Sequence, residues 1–317
     1  MDNIYWITPE FSVALAGLLG LLVGSFLNVV IHRLPLMMQR QWEAELNEAL
    51  LAQANMHALS HTTGSDTISD EEVPTGHGRG QSQSKAFNLL VPRSRCPHCE
   101  HQITALENIP VFSWIFLRGA CRECRKPIPV RYPFVELLTG ILAASSVWRF
   151  GFDLTGLAAA LFCCVLITLT FIDYDTQLLP DNLTLPLLWS GLLLNLTRHA
   201  MTSLPDAVIG AIAGYLILWC VYWTFKLISG KEGMGYGDFK LLAALGAWFG
   251  WQALPAIILI SSVLGTIVGV GLILFKNHSR SHPIPFGPYL SGAGLIMLFN
   301  GGQVLHWMGM IPVIAHA

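Results

Sequence analysis

Charge is what this chain of 317 residues has least of. Asp, Glu, Lys and Arg make up 12% of it, about half the share of an ordinary globular domain. That scarcity excludes a water-soluble fold covered by charged side chains, and no nucleic-acid partner is expected. No Lys or Arg precedes the first apolar stretch, Phe11 to Ile31, and no small-residue cleavage site interrupts it. A removed signal peptide is therefore not expected, and the stretch reads as a retained membrane helix. No G-x-G-x-x-G follows a strand pattern, which leaves no dinucleotide-type cradle for a cofactor. No internal repeat is visible, which weighs against the inverted halves of a proton-coupled transporter.

What is present in quantity is apolar. The hydrophobic share is 53%, and several runs approach the roughly 20 residues needed to cross a bilayer. The sequence predicts an all-α polytopic membrane protein of about eight transmembrane helices with a cytoplasmic zinc-binding loop domain. The spans fall near 11–31, 133–149, 154–173, 182–197, 207–228, 239–253, 255–275 and 288–308. Of the 18 Lys and Arg residues, all but Arg149 and Arg198 fall on one side of this arrangement. Cytoplasmic loops carry such an excess, so both termini are expected to face away from the cytoplasm.

Three regions follow: residues 1–35 as the first membrane helix, 36–132 as a cytoplasmic loop domain, and 133–317 as the membrane core. In the loop domain, 39–54 is rich in helix formers and amphipathic, which predicts a helix lying on a surface. Residues 55–86 are rich in Ser, Thr, Gly, His and acid, and that composition predicts disorder.

Four of the seven cysteines are spaced as ligands. "CPHC" and "CREC" place Cys96, Cys99, Cys121 and Cys124 as two C-x2-C pairs, enough for a closed tetrahedral site. On a reducing cytoplasmic face, structural Zn2+ is favoured over a disulfide or redox pair. His98, inside the first turn, is a competing ligand. Four protein ligands leave no open position, so the metal would strap the loop rather than perform chemistry. The remaining cysteines, Cys163, Cys164 and Cys220, lie in apolar runs and read as packing.

Acidic residues at helix ends carry the chemistry. "GMGYGDFK" puts Asp238 at the start of one apolar run, and "FIDYDTQLLPDN" puts Asp173, Asp175 and Asp181 where another ends. Asp238 as a helix cap is one reading. The other follows from topology: Asp173 and Asp238, 65 positions apart, fall at the same membrane face. Two carboxylates brought together share a proton, so that one serves as base towards water and the other as acid towards an amide carbonyl. Gly235 and Gly237 would let an extended substrate approach the backbone closely. Asp181, opening a span after Pro180, reads as a cap, and spacing alone ranks Asp173 only modestly above Asp175.

The chain resembles the type IV prepilin peptidases, or leader peptidase/N-methyltransferases, along nearly its whole length. The matching stretches are "GSFLNVVIHRLP", "CPHC", "CREC", "ENIPVFSW", "RYPFVELLTG", "IDYDTQLLPD", "GMGYGDFKLLAALGAW" and "PIPFGPYL". The resemblance implies a bacterial inner-membrane aspartic protease, its active site facing the cytoplasm. It implies removal of a short basic leader from prepilins and pseudopilins, after Gly and before Phe. It also implies Asp173 and Asp238 as the catalytic pair, and methylation of the new N-terminus with S-adenosylmethionine. Glu107, Arg131 and Glu136 are candidate contributors to methylation, with structural pairing an equal reading for each, and Glu136 could also favour the basic leader. The 55–86 stretch is longer than the family pattern requires. A peptidase that does not methylate is the alternative, and homodimerisation is left open.

Overall fold

The computed structural model describes residues 8–62, 87–231, 233–276 and 285–309. Among them the fold is helical, with nine α-helices and no strand longer than an isolated bridge. In chain order they are α1 (Pro9–Thr62), α2 (Phe112–Phe116), α3 (Arg131–Phe150), α4 (Leu154–Thr176), α5 (Asp181–Asn195), α6 (Leu204–Ser229), α7 (Tyr236–Phe249), α8 (Leu254–Lys276) and α9 (Gly287–Trp307). Among the described residues, four segments are long and apolar enough to cross a membrane: Pro9–Met56, Leu154–Thr176, Leu204–Ser229 and Trp251–Leu272. Helices also occupy the other expected spans, but α5 and α7, with 15 and 14 residues, reach only about 21–22 Å at about 1.5 Å per residue. A bilayer's hydrocarbon is ~30 Å thick.

The first helix corrects the sequence reading. The expected boundary at residue 35 falls inside α1, which continues through Pro35 as one helix of 54 residues. The run 39–54 is therefore the extension of α1 rather than a separate helix lying on a surface. Along 39–56 it is exposed on every side, Trp42, Leu46 and Leu50 included. Residues 55–62 of the expected disordered stretch continue that helix, and 63–86 lie outside the described residues.

Close helix contacts are made by small residues, as in membrane interiors, where dispersion and backbone proximity replace the hydrophobic effect. A Cβ on Gly20 of α1 would lie 2.7 Å from the Ala143 Cβ of α3, and one on Gly24 would lie 2.7 Å from the Glu136 Cα. On α6, Gly210 meets the backbone at Gly246 of α7, and a Cβ on Gly214 would lie 2.7 Å from the Leu242 carbonyl oxygen. This seam lets the short α7 sink into the centre. From Asp238 to Trp248 it is buried on all faces except at Lys240. Its far end is fixed by Asn195, whose amide donates to the Ala247 carbonyl at 2.8 Å and whose carbonyl accepts from the Met201 amide at 2.7 Å. Buried along most of its length, α7 is a rigid mount for Asp238 in its first turn.

Candidate active site

Asp173 occupies the last full turn of α4. That helix begins at Asp153, whose carboxylate accepts the Gly156 amide at 3.0 Å. It ends at Gln177 in a left-handed conformation (φ 55°), with the Gln177 amide donating to the Asp173 carbonyl at 2.9 Å. Leu178, Leu179 and Pro180 then turn the chain into α5. Asp238 lies in the first turn of α7, three residues after its N-cap, Gly235.

Both aspartates line one cavity of about 390 Å³, with Leu179, Met234, Gly235, Gly237 and Phe286 around them. Asp173 is 5% exposed and Asp238 is 7% exposed. Asp173 Oδ2 accepts the backbone amide of Gly287 at 2.9 Å. Gly287 is the first residue of α9, where helical amides have no intrahelical acceptor and attract carboxylates. Asp238 Oδ1 is buried without a hydrogen-bond partner. A buried oxygen left in that state costs about 1–3 kcal/mol, which is what a site arranged for a ligand carries. The N-cap of α7 is Gly235, which has no side chain of its own to cap the helix.

The neighbouring acids have other partners. Asp175 points to Arg131 at the start of α3, with nitrogen and oxygen 2.7 Å apart, and Arg131 also lies over the Phe171 ring, 4.7 Å from its centroid. Asp181 does not cap α5; it pairs with Lys240 at 2.6 Å. Of the two supporting glycines, Gly237 is filled from one side, because a Cβ there would come 2.6 Å from Leu179 Cβ. Gly235 is open, with nothing nearer than 4.0 Å.

Glu136 lies away from this cavity, in the seam of α1 and α3. Its Oε2 accepts the Val111 amide at 2.7 Å. Val111 has φ 61° and ψ −50°, a conformation uncommon for a β-branched residue, and the Phe112 amide closes on the Pro110 carbonyl at 2.6 Å around it. This tight turn has the form of a classic γ-turn, and the buried carboxylate holds it. Glu107 accepts from the Thr104 amide at 3.0 Å and pairs with His101 at 3.1 Å. The Thr104 amide, with His101, holds its carboxyl down at about 2.

The four cysteines converge. Their sulfurs all lie within 4.8 Å of one another, with Cys96 to Cys124 at 3.8 Å and Cys99 to Cys121 at 3.9 Å. Sulfurs bound tetrahedrally at about 2.3 Å from a zinc ion sit ~3.8 Å apart, so the set fits that metal. Two matching backbone turns build it. Cys96 donates its amide to His101 and Cys121 to Lys126, each at 2.9 Å, and Glu100 and Arg125 take left-handed conformations (φ 58° and 54°). The His98 and Cys99 amides lower the pKa of the Cys96 thiol, while burial and the neighbouring sulfurs raise that of Cys99. His98 instead lies against Lys126, 3.3 Å away, outside the four-sulfur set.

A family model for the bacterial peptidase A24 N-terminal domain matches residues 18–150, and one for the type IV leader peptidase family matches residues 160–270. The chain is 54% identical over 299 residues to the prepilin leader peptidase/N-methyltransferase of Aeromonas hydrophila, covering 94% of each chain. It is 50% identical over 296 residues to that of Stutzerimonas stutzeri (93% of each), and 48% identical over 287 residues to that of Pseudomonas aeruginosa (90% of each). The chain belongs to the type IV leader peptidase family. No solved structure matches it.

Gly287 and Phe286 are among the residues around the aspartates that sequence reasoning did not single out, as are Leu179 and Met234. In the sequence "PIPFGPYL" stood out only as one of the stretches shared with the family. The available signal was a Gly-Pro step opening an apolar run, which marks a helix N-terminus with free amides.

Proposed function

We propose that the chain is a prepilin leader peptidase/N-methyltransferase whose proteolytic pair is Asp173 and Asp238. One observation carries this reading: two buried aspartates from distant helices line a single cavity, one of them with an oxygen lacking any partner. In the reaction, the ionised carboxylate takes a proton from water as the oxygen attacks the scissile carbonyl carbon. The protonated partner donates to the carbonyl oxygen, and a proton then passes to the leaving amine as the C–N bond breaks. Burial excludes bulk water and strengthens each interaction. The open backbone at Gly235 gives an extended peptide room beside Asp238.

The substrates are prepilins and pseudopilins of type IV pili and type II secretion, cut between Gly and Phe. The enzyme crosses the bacterial inner membrane about eight times, with the cavity facing the cytoplasm. Residues 1–35, 36–132 and 133–317 act as first span, loop domain and peptidase core, α1 joining the first two. Cys96, Cys99, Cys121 and Cys124 hold structural Zn2+.

Methylation by S-adenosylmethionine is supported by the relatives' name. Glu107, Arg131 and Glu136 are each engaged in structural pairings, so no residue is assigned to the methyl donor. The test is incubation of the purified protein in nanodiscs with a prepilin and labelled methyl donor. Cleavage with label transfer supports the reading; neither product overturns it.

A further inference from the structure

Two contacts set the segment that leads into α2 beside the apolar part of α1. No Asp, Glu, Lys or Arg lies between Glu10 and Arg33 of that helix. Ser25 falls inside this stretch, eight residues before Arg33, and its hydroxyl donates to Asn108 Oδ1 at 3.4 Å. Three residues on, the Val111 amide donates to Glu136 Oε2 at 2.7 Å. Glu136 is level with Gly24 of α1, on which a Cβ would lie 2.7 Å from the Glu136 Cα, and it stands five residues into α3 from Arg131. At about 1.5 Å per residue, these contacts set residues 108–111 roughly 7–12 Å inward of Arg131 and Arg33. Helices that lie in the plane of a bilayer's interface sit at a comparable depth of ~5–10 Å.

From that depth α2 turns an apolar face outward. Phe112, Ile115 and Phe116 are spaced to share one side of a helix, and Ile109 precedes them. Ile109 is 43% exposed and Phe116 81%, with the other two between. Trp114 faces the other way: its indole donates to the Ile128 carbonyl at 3.2 Å and its ring covers Gly119, which ties α2 to the metal turn that opens at Cys121. The backbone is equipped for a dry setting. The amides of Val111, Phe112, Ser113, Ile115 and Leu117 each have a protein acceptor, as hydrocarbon demands of the amides it surrounds. For Val111 that acceptor is a buried carboxylate, where a loop in water would use solvent. The rim is basic. Residues 88–131 hold seven Lys and Arg against three Glu, and Arg118, Arg122 and Arg125, which follow α2, are exposed. Such a cluster beside a membrane helix is attracted to anionic headgroups.

We propose that α2 is an interfacial anchor, with Ile109, Phe112, Ile115 and Phe116 among the acyl chains of the leaflet beside the metal module and Arg118, Arg122 and Arg125 on anionic headgroups. Lipid is thus the occupant of this face, and the four-cysteine module is held against the bilayer rather than free above it. The inference goes beyond the peptidase reading and does not depend on it.

The experiment places the full chain in nanodiscs containing phosphatidylglycerol, with p-acetylphenylalanine replacing one residue at a time to carry a nitroxide without touching the cysteines. The test positions are Phe116 and Ile115, two so that a failure to fold at one is not decisive. Ile267 of α8, 63% exposed, is the lipid-facing reference, and Leu50, exposed 17 residues beyond Arg33, is the water-facing one. The ratio of oxygen to nickel-chelate collision rates at Phe116 and Ile115 should exceed the Leu50 value by roughly threefold or more, towards the Ile267 value, as an interfacial depth requires. A smaller difference overturns the anchor. So does low access to both reagents, which means that a second copy or another part of the chain covers the face. Loss of oxygen access on adding prepilin assigns the face to substrate and also overturns it. Replacing phosphatidylglycerol by phosphatidylcholine should lower the Phe116 ratio by about half; an unchanged ratio overturns the headgroup contacts.

Discussion

Gly287 and Asp173 are 114 residues apart in sequence, yet the amide of one donates to the carboxylate of the other at 2.9 Å. The contact joins the start of α9 to the end of α4 and fixes one acid of the proposed pair. It leaves no room for a side chain, since a Cβ on Gly287 would lie 2.7 Å from Asp173 Oδ2. Gly287→Ala should therefore displace the carboxylate while leaving the helices in place. Prepilin cleavage should fall by roughly 10- to 100-fold, the equivalent of the ~1.5–3 kcal/mol of a charge-assisted hydrogen bond. Unchanged turnover would show that this bond does not orient Asp173.

The four-cysteine cluster lies in the loop region between α1 and α3, apart from the aspartate cavity. Stripping its metal with a chelator, or replacing Cys96 by Ser, should impair methyl transfer more than proteolysis. Parallel assays on one substrate preparation measure both. Equal loss of the two activities would show that the cluster holds the whole enzyme together.

Glu107 supplies a pH-dependent part of loop stability. Its carboxyl is lowered from 4.5 to about 2 by the Thr104 amide and His101. A carboxyl more acidic in the folded state stabilises the fold above its unfolded pKa, and that contribution is lost as pH falls through the folded value. The difference in melting temperature between the parent protein and Glu107→Gln should be full at neutral pH. It should shrink as pH falls from about 4.5 towards about 2. A difference independent of pH would refute this role.

The Glu136 carboxylate holds the Val111 turn against α3. Glu136→Ala leaves a backbone amide without its partner and should cost about 1–3 kcal/mol. Faster hydrogen exchange at residues 107–112, with α4 and α7 unaffected, is the expected signature. Protection unchanged at Val111 would contradict it.

Much of this architecture was legible in the sequence because membrane helices and metal knuckles are local patterns. The two C-x2-C pairs gave a four-sulfur cluster from spacing alone, and the runs at 154–173, 207–228 and 255–275 correspond to α4, α6 and α8. Counting crossings put Asp173 and Asp238 at the same membrane face and no more; that both line one cavity is a product of tertiary packing. What was hidden depended on tertiary context. Pro35 reads as a helix end because it lacks an amide donor, yet α1 runs through it. The depth of α7 depends on Gly210 and Gly214 of another helix, and the partners of Asp181 and Glu136 lie 59 and 25 residues away.

The most direct test is the cleavage rate of Asp173→Asn and Asp238→Asn in nanodiscs, alongside the pH–rate profile of the parent enzyme. The account predicts a loss of roughly a thousandfold or more for each folded variant, and a bell-shaped profile with two apparent pKa values belonging to the pair. Parent-level cleavage by either variant, with its fold intact, would contradict it.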